Sequence, residues 1–207
     1  MEAFSRAAVV VLGVCYLAGP ATVRGQQPAL PTSQASLYRS SRYGFTMEIP
    51  AGWVFQERPQ SQEDEENRRA ALGADIVLIA TEQPGGSTGA FNVNMTVAVR
   101  DIPETRQLRD SKEIAAFAAN VLESLSSSKE ASAVKTLQQK GLVGAQRQFR
   151  YVQSYEGKEV SLSAIVTALV STHMGRCFLI TATTPAASSE QYEALFRDAI
   201  ESFNELE

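Results

Sequence analysis

Phe91-Asn92-Val93-Asn94-Met95-Thr96-Val97-Ala98-Val99 is the stretch that decides the fold. Phe91, Val93, Met95, Val97 and Val99 alternate with Asn92, Asn94, Thr96 and Ala98. An extended chain points successive side chains to opposite faces, so this period of two is a strand with one apolar face. Upstream, Ala74–Thr81 (ADIVLIAT) is a continuous β-rich run, short enough for a buried strand. The loop Pro84-Gly85-Gly86-Ser87-Thr88-Gly89 separates the two runs, so they are expected to pair as an antiparallel hairpin.

Working outward, Asp110 with Glu113 three residues later has the form of a capping box. Ile114, Phe117, Ala118, Val121, Leu122 and Leu125 then recur at helical spacing, and the serines at 126–128 end the stripe. Val134–Gln139, Ala145–Tyr155, Val160–Val170 and Cys177–Thr183 read as strands. The turns Glu156-Gly157-Lys158 and His173-Met174-Gly175 are tight, so these neighbours are expected to be antiparallel. After Pro185, Ser188 with Gln191 repeats the capping pattern ahead of a stripe of Tyr192, Leu195, Phe196, Ala199, Ile200 and Phe203. Nearer the start, Leu37–Arg39 and Phe45–Ile49 are short extended runs. Pro50-Ala51-Gly52 stops the second, Trp53 follows, and Gln56–Ala71 is a charge-dense surface excursion. The expected fold class is α+β: an antiparallel β-sheet flanked by two long helices, an αβα sandwich. Ala74–Thr81 and the last strand are apolar on both faces. A sheet face open to water alternates instead, so cover is expected on both faces of the central strands.

The first residues read as a signal peptide over 1–25. Arg6 precedes the apolar run Ala7–Leu17, Gly19-Pro20 breaks it, and Val23-Arg24-Gly25 places cleavage before Gln26. The run is well short of the ~20 residues a spanning helix needs, so no transmembrane anchor is expected after cleavage. Cys15 raises lipidation as an alternative, but Val14 stands where such sites want a small residue. Residues 26–36 (QQPALPTSQAS) read as a flexible leader with nothing to bury, and 37–207 as one domain. The chain has 19 basic and 23 acidic side chains and a formal net charge of −4. Losing Glu2, Arg6 and Arg24 with the signal makes the remainder one charge more acidic. A mildly acidic, mixed surface excludes nucleic acid as partner, which needs a concentrated basic face. Cys177 is the one cysteine left after cleavage, so no internal disulfide forms; within Cys177-Phe178-Leu179-Ile180 it reads as a small buried hydrophobe.

Catalytic constellations are sparse. His173 is the single histidine, and no Gly-x-Ser-x-Gly elbow anchors a hydrolase triad. A His173–Cys177 dyad is expected to point apart, one residue lying in a turn and the other in a strand. Glu63, Asp64, Glu65 and Glu66 cluster carboxylates without the spacing or the turn glycine of calcium loops, and Arg68 and Arg69 follow them. Zinc lacks ligands. The glycine-rich loop is followed by a strand, whereas a phosphate cradle needs a helix there. No catalytic residue, metal ligand or cofactor is assigned. The polar face of Asn92, Asn94 and Thr96, together with Trp53, is the candidate ligand or partner face; a solvated sheet face and a core tryptophan are the alternatives. Asn94-Met95-Thr96 fits the N-glycosylation pattern but lies mid-strand.

Tyr43-Gly44-Phe45-Thr46-Met47-Glu48-Ile49-Pro50-Ala51-Gly52-Trp53 resembles the opening of PsbP-like domains: a short strand, a proline, then a tryptophan. Phe91–Val97 is similar to that family's Asn-bearing strand, and the ending is similar too, with Thr183-Thr184-Pro185 leading into the last helix. The resemblance implies a binding or assembly module. The family's plant members are extrinsic subunits of the photosystem II oxygen-evolving complex, and its bacterial relatives are mostly exported. This leader is not the Ser- and Arg-rich transit peptide of the plant pattern, so no photosynthetic role is carried over. The expected function is an exported, non-enzymatic binding or assembly module of the cell envelope, periplasmic or extracellular, holding a protein or small ligand. The alternatives are an ion-binding accessory protein using Glu63–Glu66 and a hydrolase with an unrecognised site. If the export reading is right, protein recovered outside the cytoplasm begins at Gln26, which intact-mass measurement of the secreted chain checks. A mass retaining Met1–Gly25 would refute cleavage.

Overall fold

The computed structural model describes residues 35–57, 74–82, 91–125, 130–155 and 158–206. Along the chain these form β1 (Ser36–Ser40), β2 (Phe45–Ile49), β3 (Trp53–Glu57), β4 (Asp75–Glu82), β5 (Asn94–Asp101), α1 (Ser111–Ser124), β6 (Glu130–Ala131), β7 (Lys135–Gln139), β8 (Leu142–Tyr155), β9 (Lys158–Ser171), β10 (Arg176–Pro185), α2 (Ser189–Ser202) and β11 (Asn204–Glu205). Among the described residues the strands make two sheets. The larger has the order β3-β4-β5-β10-β9-β8-β6, with β7 also pairing β8; the smaller is β1-β2-β11. Every pairing is antiparallel. The stretches expected as signal peptide and leader, with Cys15, up to residue 34, and likewise Glu63–Glu66 and Gly85–Gly89, lie outside the described residues.

The expected hairpin is present, with β4 pairing β5 and placing Ile79 opposite Thr96. The register shifts between Ile76 and Leu78, so one extra residue enters β4 at Val77. That bulge is why the run ADIVLIAT shows no clean alternation.

The central strands bury both faces. On one, Ala98, Leu179, Ala168, Ala145 and Cys177 pack with Ala118, Val121 and Leu122 of α1. On the other, Val97, Val99, Phe178, Ile180 and Leu169 pack with Phe45, Met47 and Ile49 of the small sheet and with Phe196 and Ile200 of α2. An aromatic cluster fills this second core: the Phe45 ring stacks on Phe203 at 5.0 Å, and Phe178 lies 5.1 Å from Phe203. All three are fully buried, where removal of a phenylalanine ring costs about 3–5 kcal/mol.

The two-helix sandwich needs correction. Each helix has only 14 residues, the larger sheet dominates, and α2 shares its face with a second sheet. α1 starts as its sequence requires: Asp110 accepts the Glu113 amide at 2.8 Å, and the Glu113 carboxylate accepts the Arg109 amide at 2.8 Å. The Ser188 cap does not form, because a 3-10 turn at Ala186–Ser188 runs straight into α2 and leaves the Ser188 side chain without a cap bond. The far end of α2 is held by the β7–β8 turn: Gln139 Nε2 donates to the Ile200 and Phe203 carbonyls at 2.7 and 3.0 Å, and Lys140 Nζ to that of Ser202 at 2.9 Å. β3 was not expected, since the charge-dense reading began at Gln56. Among the described residues no helix is long and apolar enough to cross a membrane.

Gly144 lies in β8 opposite Leu169 of β9. A β-carbon there would meet the Ala168 carbonyl oxygen at 2.1 Å and Leu169 Cδ2 at 3.0 Å. The neighbour is backbone, which cannot rotate away. Gly144→Ala is therefore expected to lower stability by about 1–3 kcal/mol, read as a lower urea midpoint at unchanged slope. An unchanged midpoint would mean the two strands are free to part.

Candidate functional site

The four residues of the expected ligand face do not form one surface. Asn92 lies before β5 and is exposed. Asn94 and Thr96 lie within β5 and are buried, opposite Thr183 and Thr181 on the face that α1 covers. Asn94 Nδ2 donates to the Asn92 carbonyl at 3.0 Å. Trp53 belongs to the opposite core, its ring 6.2 Å from that of Phe196. A side chain as buried as Asn94 also offers no accessible acceptor for glycosylation.

His173 and Cys177 are apart in environment. Cys177 is buried among the α1-side residues, and burial pushes its thiol from 9.0 up to about 12, with Arg100 pulling weakly the other way. His173 is exposed in the β9–β10 turn. Its Nδ1 lies 3.2 Å from Glu205 Oε1 and 3.5 Å from Ser171 Oγ, and Ser171 donates to the same Glu205 oxygen. This Ser–His–Glu grouping was not foreseen, because Glu205 lies far along the chain. It lacks the catalytic arrangement, which needs serine and carboxylate on opposite ring nitrogens. Here both face Nδ1, the serine proton goes to the carboxylate, and Ser171 is 1% exposed with its Oγ accepting the Met174 amide at 3.1 Å. What the three residues do is tie the β9–β10 turn to the C-terminal strand β11.

A cleft of about 290 Å³ opens between the first turns of α2 and the far ends of β8, β9 and β10. Antiparallel register builds its floor. On the α2 side of the sheet, successive rows across β10, β9 and β8 are Phe178, Leu169 and Gly144; Ile180, Thr167 and Gln146; Ala182, Ile165 and Gln148; then Thr184, Ser163 and Arg150. The surface thus changes from apolar core to polar floor within four rows. Gln146 Nε2 donates to Thr167 Oγ1 and Gln148 Nε2 to Ser163 Oγ, each at 3.0 Å. One wall carries Glu190 and Glu193 of α2; the other carries Lys135 and Arg150. Among the described residues the side chains of these four have no ion-pair or hydrogen-bond partner. Arg147, also on the rim, is engaged with the Ser132 carbonyl at 2.7 Å. The strand polarity was visible in Gln146, Gln148 and Arg150, but the partners Thr167 of Gln146 and Ser163 of Gln148 come from register alone. α2 is pinned beside the cleft by the Tyr192 hydroxyl, which donates to Glu82 Oε2 at 2.7 Å. Burial, then the Glu82 carboxylate, pushes that phenol from 10.0 up to about 12. Among the described residues no group of three or more His, Cys, Asp or Glu is placed to hold a metal.

The family model for PsbP matches residues 33–205, and the chain belongs to the PsbP family. Among solved structures it is similar to cyanobacterial PsbP (CyanoP) from Synechocystis sp. PCC 6803, at 13% identity over 90% of this chain and 99% of that one, with a TM-score of 0.49. It is also similar to LpqN of Mycobacterium tuberculosis, described as involved in cell envelope biogenesis, at 14% identity over 84% and 91% with a TM-score of 0.46. The Ran-binding protein Mog1p of Saccharomyces cerevisiae matches at 12% identity over 85% and 97%, with a TM-score of 0.49. No curated protein matches the chain.

Both raised acids bear on alkaline stability. Folded, Cys177 and Tyr192 keep their protons to about pH 12, while unfolded they release them near 9.0 and 10.0. The unfolded chain binds fewer protons across that window, so stability is full below pH 9 and falls as pH rises toward 12. Urea midpoints measured from pH 8 to 12 are expected to drop, less steeply in Tyr192→Phe. Cys177 is expected to resist a thiol reagent until urea unfolds the chain; prompt native reaction would contradict its burial.

Proposed function

We propose that this PsbP-family chain is an exported, non-enzymatic binding or assembly module of the cell envelope, and that the cleft beside α2 holds its partner or ligand. The observation that carries this reading is the chemistry of the cleft: a hydrogen-bonding floor between charges of both signs that have no ion-pair or hydrogen-bond partner among the described residues. Ligand sites are concave and carry a few placed polar groups that fix a ligand's orientation, which this cleft provides. Membership of the PsbP family agrees with a binding role. Export rests on the leader, with its short apolar run and the small residues before Gln26.

The test is native mass spectrometry of the mature chain, gently purified from its own host, with a second sample cross-linked before lysis. The reading expects bound mass on the monomer or a cross-linked partner from the envelope fraction, unchanged in His173→Ala. Turnover of an ester, peptide or glycoside by the wild type, abolished in His173→Ala, would sink it in favour of a hydrolase.

A further inference from the structure

The cleft narrows its own ligand class. The Gln146 and Gln148 side-chain amides each spend one N–H on a neighbouring hydroxyl. Each therefore keeps a carbonyl oxygen and a second N–H for a ligand. The two residues lie two apart on one strand, so their amides repeat every ~7 Å, which is also the repeat of an extended polypeptide. Amide meeting amide at that spacing favours a main chain running along β8. The walls add a charge code: Lys135 and Arg150 on one side, Glu190 and Glu193 on the other. A purely anionic ligand would meet the carboxylates, and a purely cationic one the Arg and Lys. A sugar would lack a stacking surface, since Phe196, the cleft's aromatic residue, is 1% exposed. The volume of about 290 Å³ suits a few residues, not a folded element.

We propose that the cleft binds a short extended peptide segment of mixed charge, with an acidic side chain against Lys135 and Arg150, a basic one against Glu190 and Glu193, and its backbone on Gln146 and Gln148. This rests on the binding-module reading and names what that module recognises.

The experiment compares three sets of capped, fluorescently labelled octapeptides of Ala, Gly and Ser, carrying one Lys and one Glu, two Glu, or two Lys. Anisotropy is measured at low and high salt, with amide shifts followed at residues 146–150 and 189–193. The mixed-charge set is expected to bind about tenfold tighter than either other set, to weaken with salt, and to shift those amides. Arg150→Gln should abolish the preference over the two-Lys set, and Glu193→Gln that over the two-Glu set. Both substitutions are on exposed side chains, and unchanged melting confirms the fold. Equal binding of the three sets, or wild-type discrimination in both variants, overturns the proposal. If peptides fail to discriminate while the doubly substituted chain still cross-links the wild-type envelope partner, the peptide cleft falls and the module reading stands. If neither protein captures a partner, both fall.

Discussion

Everything else depends on the central strands having no face for water. Over Asn94–Val99 of β5, Leu162–Ser171 of β9 apart from Ile165, and Cys177–Thr184 of β10 every side chain is buried, so the sheet is stable only if both faces are covered. α1 covers one face with small residues: Ala98, Ala145, Ala164 and Ala168 let a 14-residue helix settle closely on the strands. The opposite face is lined by larger side chains, and one helix is not wide enough for it. The small sheet completes that cover through Phe45, Met47 and Ile49, with Phe203 at the end of α2 stacked beneath. The chain's last strand therefore has structural weight. β11 closes the small sheet against Phe45 and Thr46, and its Glu205 is gripped from the β9–β10 turn.

The cleft is a consequence of how that second cover ends. The row of Phe178, Leu169 and Gly144 lies in the apolar core; from there the rows become Ile180, Thr167 and Gln146, then Ala182, Ile165 and Gln148, then Thr184, Ser163 and Arg150. Polar side chains buried without partners would be costly, and the strands meet that cost locally by pairing Gln146 with Thr167 and Gln148 with Ser163. The flanking helix is held as well, by Tyr192 on Glu82 near its start and by Gln139 and Lys140 at its end.

Legibility in the sequence followed element length and the range of the interactions. Long periodic elements were readable: β8, β9, β10 and both helices appear where their patterns place them, and Asp110 caps α1 as written. β6 and β11 are two residues each, too short to show any period. β3 was hidden because its end runs into a charge-dense stretch. The Asn94 and Thr96 alternation correctly separated two faces of a strand, but alternation alone does not say which face is wet. Both are buried here, and threonine sits readily inside a sheet. The cleft needed register: nothing local links Gln148 to Ser163 or Gln146 to Thr167, and a slip of one residue would turn each pair inside out.

The Ser171–His173–Glu205 grouping and the cleft beside α2 lie in different places among the described residues. The three residues whose types suggest catalysis, Ser171, His173 and Glu205, are drawn together at the turn that secures the C-terminal strand, with the hydroxyl buried and its proton committed to the carboxylate. The cleft beside α2 lies towards the other end of β9, where the lining is amide, hydroxyl and charge. An acyl-transfer enzyme needs nucleophile, base and substrate within hydrogen-bonding reach. Here Ser171, His173 and Glu205 tie the β9–β10 turn to β11, while the cleft presents Glu190, Glu193, Lys135 and Arg150.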